Sequence, residues 1–138
     1  MENIQLVDPN PERRRAVGSS LRDRGGTRYR LLLIDQNPNH AERLALYLRR
    51  RGLVVTITAS IEEGEKGLRR RIPLFDLVVL VVSGLPEQGL AVLRKLRMAC
   101  SKSYFFRRPL FLFVSTQRCN PRLRLRIERL GARYVRER

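Results

Sequence analysis

Apolar residues in this chain come in short runs, separated by longer stretches in which they recur every three or four positions. Leu31 to Ile34 form one such run. Asn37 follows as a helix cap and Pro38 as a first helical residue, with Ala41, Leu44, Ala45 and Leu48 at helical spacing and three arginines before the stop at Gly52. The pattern is strand, loop, helix, stop. Residues 53–60 (LVVTITAS) predict a second strand, and Ser60 with Glu63 makes a capping box that opens a helix ending at Arg69, Arg70 and Arg71. The run 74–82 (LFDLVVLVV) is too continuously apolar for a strand with one wet face, so it predicts a central strand covered on both sides. A helix over 87–97 and a basic aromatic loop over 98–108 come next. Residues 109–115 (PLFLFVS) read as a fourth buried strand, 121–130 as a helix closed by Gly131, and 132–135 (ARYV) as a last short strand.

Five strand–helix steps imply a parallel sheet, because parallel neighbours need crossover connections and the crossover helices cover both faces. The expected class is doubly wound α/β. In such sheets ligands gather at the carboxyl ends of the strands. Those ends are Asp35–Gln36, Val81–Ser83, Ser115–Thr116 and Arg136–Arg138.

A length of 138 residues suits one compact domain and is too short for two ordinary ones. Charge changes the picture more. The chain carries 29 Lys+Arg against 13 Asp+Glu, a formal +16, and such a surface attracts polyanions. Arginine-rich solvent-facing helices account for that balance, and so does an acidic protein or nucleic-acid partner. Cys100 and Cys119 have neither a metal spacing nor a histidine beside them, so zinc is not expected and they read as reduced thiols. No metal or other cofactor is expected. The N-terminus lacks the apolar core of a signal peptide, and no stretch approaches the ~18 apolar residues of a membrane span. The expectation is a soluble cytoplasmic protein with no membrane association.

From about Arg28 onward the motifs fall into a known order. LLLIDQN (31–37), DLVVLVVSGLPEQGL (76–90), PLFLFVST (109–116) and GARYV (131–135) resemble, in turn, the first strand with its acidic end, the third strand with its Pro/Gly loop, the fourth strand and the fifth strand of a response-regulator receiver (CheY-like) domain. The resemblance implies a five-stranded parallel sheet in the order 2-1-3-4-5, flavodoxin-like, with helices on both faces. It also implies a role in two-component (phosphorelay) signal transduction, in which a phosphoryl group passes from a histidine kinase to an aspartate.

The residues carried over for that chemistry do not complete it. Asp35 matches one of the two acidic residues that hold Mg²⁺, but the second position is Gln36. The acceptor aspartate falls on Val81, with Leu80 and Val82 on either side, so a slip of one residue does not restore it. Ser115 matches the hydroxyl position, and the lysine position falls on Glu137. A transferred phosphoryl group needs hard oxygen ligands, a positive group and a nucleophile. One carboxylate, no acceptor and an acid in place of a base imply a degenerate pseudo-receiver that is not an enzyme.

For receivers that signal, the face of the fourth helix and fifth strand docks partners or a second copy, and the resemblance places Tyr134 at its aromatic reporter position. Arg122, Arg126, Arg129 and Arg133 stand near it in sequence, as an interaction face or a solvated one. The loop CSKSYFFRRP (100–109) offers aromatics beside cations, a pattern that stacks on bases or plugs the end of a core. The expected function is therefore protein–protein docking or dimerisation without phosphorylation, with a basic nucleic-acid-associated protein on the same scaffold as the alternative.

The chain also repeats itself. Residues 6–25 align with 33–52 through Leu6/Leu33, Asp8/Asp35, Asn10/Asn37, Pro11/Pro38, Leu21/Leu48, Arg22/Arg49, Arg24/Arg51 and Gly25/Gly52. Residues 1–27 thus read as a strand–helix-like segment or extension before a receiver-like domain over 28–138 that has no evident fifth helix. In one arrangement a helix over 11–24, with Val17 and Leu21 inward, takes that helix's place. Shared cap chemistry and arginine bias also explain the match, and a fragment of a longer protein also explains the missing helix.

Overall fold

The computed structural model describes residues 28–70, 74–103 and 108–137. Among the described residues nine elements alternate: β1 (Arg30–Ile34), α1 (Pro38–Arg50), β2 (Val54–Thr58), α2 (Ile61–Arg69), β3 (Leu77–Val82), α3 (Pro86–Ser103), β4 (Leu110–Ser115), α4 (Pro121–Arg129) and β5 (Ala132–Arg136). The strands form one parallel sheet in the order β2-β1-β3-β4-β5, as the sequence led us to expect. The proposed repeat unit and the helix over 11–24 lie outside the described residues.

Helix starts follow cap chemistry. The Asn37 side chain accepts from the Asn39 and His40 amides at 3.1 and 3.2 Å, Ser60 Oγ from the Glu63 amide at 3.1 Å, and Asn120 Oδ1 from the Leu123 amide at 2.8 Å. Each cap satisfies donors that have no partner inside the helix. The helix α4 ends before Gly131, whose φ of +84° is left-handed backbone that side chains other than glycine's seldom adopt.

Strand alternation divides the core between two faces. Leu31, Leu33, Val79 and Val114 pack against Ala41, Leu44, Ala45 and Leu48 of α1. Leu32, Ile34, Val78, Leu80, Phe111 and Phe113 face Leu68 of α2, Leu90, Leu93 and Leu96 of α3, and Leu123 and Ile127 of α4. The strands β1, β3 and β4 are thus buried on both sides.

Two boundaries differ from the reading of the sequence. The strand β3 begins at Leu77 rather than Leu74, since Phe75 turns into the core and Asp76 anchors the strand's entry: its carboxylate accepts from the Arg30 amide at 2.9 Å and its own amide donates to the Arg30 carbonyl at 2.8 Å. The helix α3 runs on to Ser103 instead of ending near residue 97. Ala99 and Cys100 are buried and continue the stripe of Leu90, Leu93 and Leu96, so the helix keeps an apolar face to bury where a loop was expected. The three adjacent aromatics Tyr104, Phe105 and Phe106 lie outside the described residues.

Candidate functional site

The carboxyl end of β1 delivers Asp35 into a site that is almost closed to solvent, the residue being 2% exposed. Its amide donates to the Thr58 carbonyl at 3.1 Å, which ties it to β2, and its Oδ1 accepts from the Asn37 amide at 3.0 Å, which turns the chain into α1. Its other oxygen, Oδ2, meets His40 Nδ1. His40 sits in the first turn of α1, and its Nε2 lies 2.5 Å from Glu137 Oε2, beyond the end of β5. One imidazole therefore joins the ends of two strands that are three places apart in the sheet.

His40 and Glu137 are 12% and 10% exposed. Burial alone would discharge the imidazole, but the hydrogen bonds to Asp35 and Glu137, aided by the charge of both carboxylates, outweigh it and raise the histidine's pKa above its usual value. Both ring nitrogens are thus occupied by carboxyl oxygens, an arrangement that favours the protonated ring.

Val81 packs among the residues on the α1 side of the sheet and pairs in register with Val114. No residue of β3 carries a side-chain oxygen. Gln36 is exposed. Ser115, 0% exposed, serves its own turn: its Oγ donates to the Gln117 carbonyl and accepts from the Gln117 amide, both at 3.2 Å. The Tyr134 hydroxyl donates to the same Gln117 carbonyl at 2.9 Å. Of the five carried-over positions, Asp35 and Glu137 are joined by His40, Ser115 is linked to Tyr134 through Gln117, and Gln36 and Val81 belong to neither group. The receiver chemistry implies Mg²⁺, and the residues present do not suit it. A hard dication wants several oxygen ligands, whereas the buried carboxylate here already faces an imidazole nitrogen and a backbone amide.

His40 is not among the residues to which the resemblance points. It is the chain's only histidine, five residues after Asp35 and three after the Asn37 cap. That placement puts it in the helix turn nearest the strand ends, a signal that was available. Its second partner was not, because Glu137 is 97 residues away.

The proposed basic face also needs correction. Arg122, Arg126 and Arg129 are exposed along α4, and the first two border an open cleft of about 480 Å³ with Glu87, Asn120, Pro121 and Leu123. The arginine over the Tyr134 ring is Arg124, at 5.7 Å, while also 3.4 Å from Glu128. Tyr134 packs on the α4 side, next to Phe113, whereas Val135 packs on the α1 side. Alternation along β5 therefore separates Arg133 from Tyr134 and α4.

No protein-family profile and no curated protein matches the chain. Among solved structures it is similar to a two-component response regulator from Clostridium difficile (15% identity, 79% of this chain and 83% of that one, TM-score 0.62). It is also similar to the non-phosphorylated HemR receiver domain from Leptospira biflexa (27% identity, 79% and 82%, TM-score 0.61). A CheY-like receiver domain protein from Methanospirillum hungatei gives 19% identity, 78% and 80% coverage and a TM-score of 0.61. These neighbours and the sheet order define the fold as that of the CheY-like receivers, a class of signalling module.

Proposed function

We propose that this protein is a receiver-fold signalling module that docks a protein partner or a second copy of itself without carrying a phosphoryl group. One observation carries the reading: at the positions where the resemblance calls for a nucleophile and a metal, the chain has Val81 and a cluster in which the His40 ring sits between Asp35 and Glu137. An apolar side chain offers no atom to attack phosphorus, and carboxylates already paired with an imidazole leave few oxygens for a metal. The docking face is that of α4 and Tyr134, where Arg122, Arg126 and Arg129 favour an acidic partner. The formal +16 supports a second reading, in which the same scaffold associates with nucleic acid.

Intact mass spectrometry after incubation with Mg²⁺ and a small phosphoryl donor tests the first reading. The natural protein is expected to stay unmodified, and a Val81→Asp variant, which restores the missing oxygen nucleophile, is the comparison. A phosphoryl adduct on the natural protein would refute the proposal, and peptide mapping would locate it.

A further inference from the structure

We propose that Asp35, His40 and Glu137 form a proton-operated latch, which ties the end of β5 to the start of α1 while the imidazole is cationic and releases Glu137 when it becomes neutral. The geometry requires two donors. Both ring nitrogens of His40 face carboxylate oxygens, and an ionised carboxylate only accepts. An imidazolium has an N–H on each nitrogen and serves both. A neutral ring keeps one N–H, so one carboxylate then faces a lone pair. In the release step the imidazolium gives one proton to water, the His40–Glu137 hydrogen bond is lost, and no other covalent bond is made or broken.

The carboxylate that lets go is Glu137. Asp35 is also held by the Asn37 amide and lies deeper, at 2% exposure against 10%. Asp35 from the end of β1 and Glu137 from the end of β5 are, among the described residues, the charged groups that act on His40. Val81, on the α1 side of the sheet, is apolar, and Gln36, next to Asp35 in the chain, is neutral and exposed. The Glu137 amide remains bonded to the Ser115 carbonyl at 2.9 Å, so release frees the side chain next to the strand that carries Tyr134. Regulation of docking through this latch rests on the function proposed above, but the latch itself does not.

The sign of the linkage follows from a folded-state pKa raised above the unfolded one. The stability contributed is fully present below the unfolded pKa and is lost as pH rises through the folded pKa. The experiment is a pH titration of the 138-residue protein by NMR, from about pH 5 to 9, the range in which histidine changes charge. The chain's only histidine gives ring signals that need no assignment. The expected result is a ring midpoint above that of an unperturbed histidine, with Glu137 and Tyr134 resonances moving at the same midpoint. In Glu137→Gln the midpoint should fall. Urea midpoints should decline with pH in the natural protein and decline less in His40→Gln. A midpoint at or below the unperturbed value, or Glu137 resonances that do not follow the ring, would overturn the latch. A phosphoryl adduct in the mass experiment would sink the proposed function and leave this titration unaffected.

Discussion

Close packing leaves some positions no room for another atom. Gly89, in the first turn of α3, lies so near the sheet that a Cβ there would sit 2.6 Å from both Phe113 Cζ and Val82 Cγ2. Both neighbours belong to the core or pack against it, so neither can yield cheaply. Gly89→Ala is expected to destabilise the protein by about 1–3 kcal/mol, the usual cost of overpacking, seen as a lower urea midpoint with an unchanged m-value. Residue type alone marks Gly89 only as a glycine inside a predicted helix. The need for a glycine there comes from β3 and β4 passing beneath it. His40 is the same kind of case. Its type and its place after Asp35 are visible in the chain, but its charge state depends on a carboxylate that the fold brings to it.

At the scale of elements the sequence was largely readable, because caps and periodicity are local. The Asn–Pro pair was read as a helix start at Asn37–Pro38, and it does the same work at Asn120–Pro121, where both residues precede an apolar position facing the core. Replacing Asn120 by alanine leaves the Leu123 amide without its acceptor and is expected to cost about 1 kcal/mol, measured by chemical denaturation. Where the reading failed, two signals competed. After residue 97 the basic and aromatic residues suggested a loop, yet Ala99 and Cys100 still offered α3 an apolar stripe, and burial of that stripe prevailed. The early start assigned to β3 has the same origin: Phe75 is apolar because it enters the core, not because it is in the strand.

For the whole molecule, net charge and surface placement govern association. A +16 protein is expected to hold nucleic acid through bulk charge alone. Binding to a generic DNA duplex should therefore fall steeply as salt is raised and show no sequence preference, and fluorescence anisotropy across a salt series measures both. Salt-resistant binding would instead favour the nucleic-acid reading. Arg122→Glu with Arg126→Glu should weaken docking of an acidic partner by inverting the charge beside the α4 cleft, while Arg133→Glu on the other side of β5 should matter less.

By itself the sequence determined the alternation of strands and helices, the parallel sheet, the caps, and the residue types at the strand ends, including apolar Val81 near the end of β3. These follow from interactions between residues a few positions apart and from the burial that periodicity demands. Only the tertiary structure decided what those ends do. It brought His40 to Glu137 across 97 residues and separated Arg133 from Tyr134 by the pleat of one strand. The physical reason is that pairing and charge depend on distance in space, and distance in space is set by the sheet order rather than by spacing along the chain.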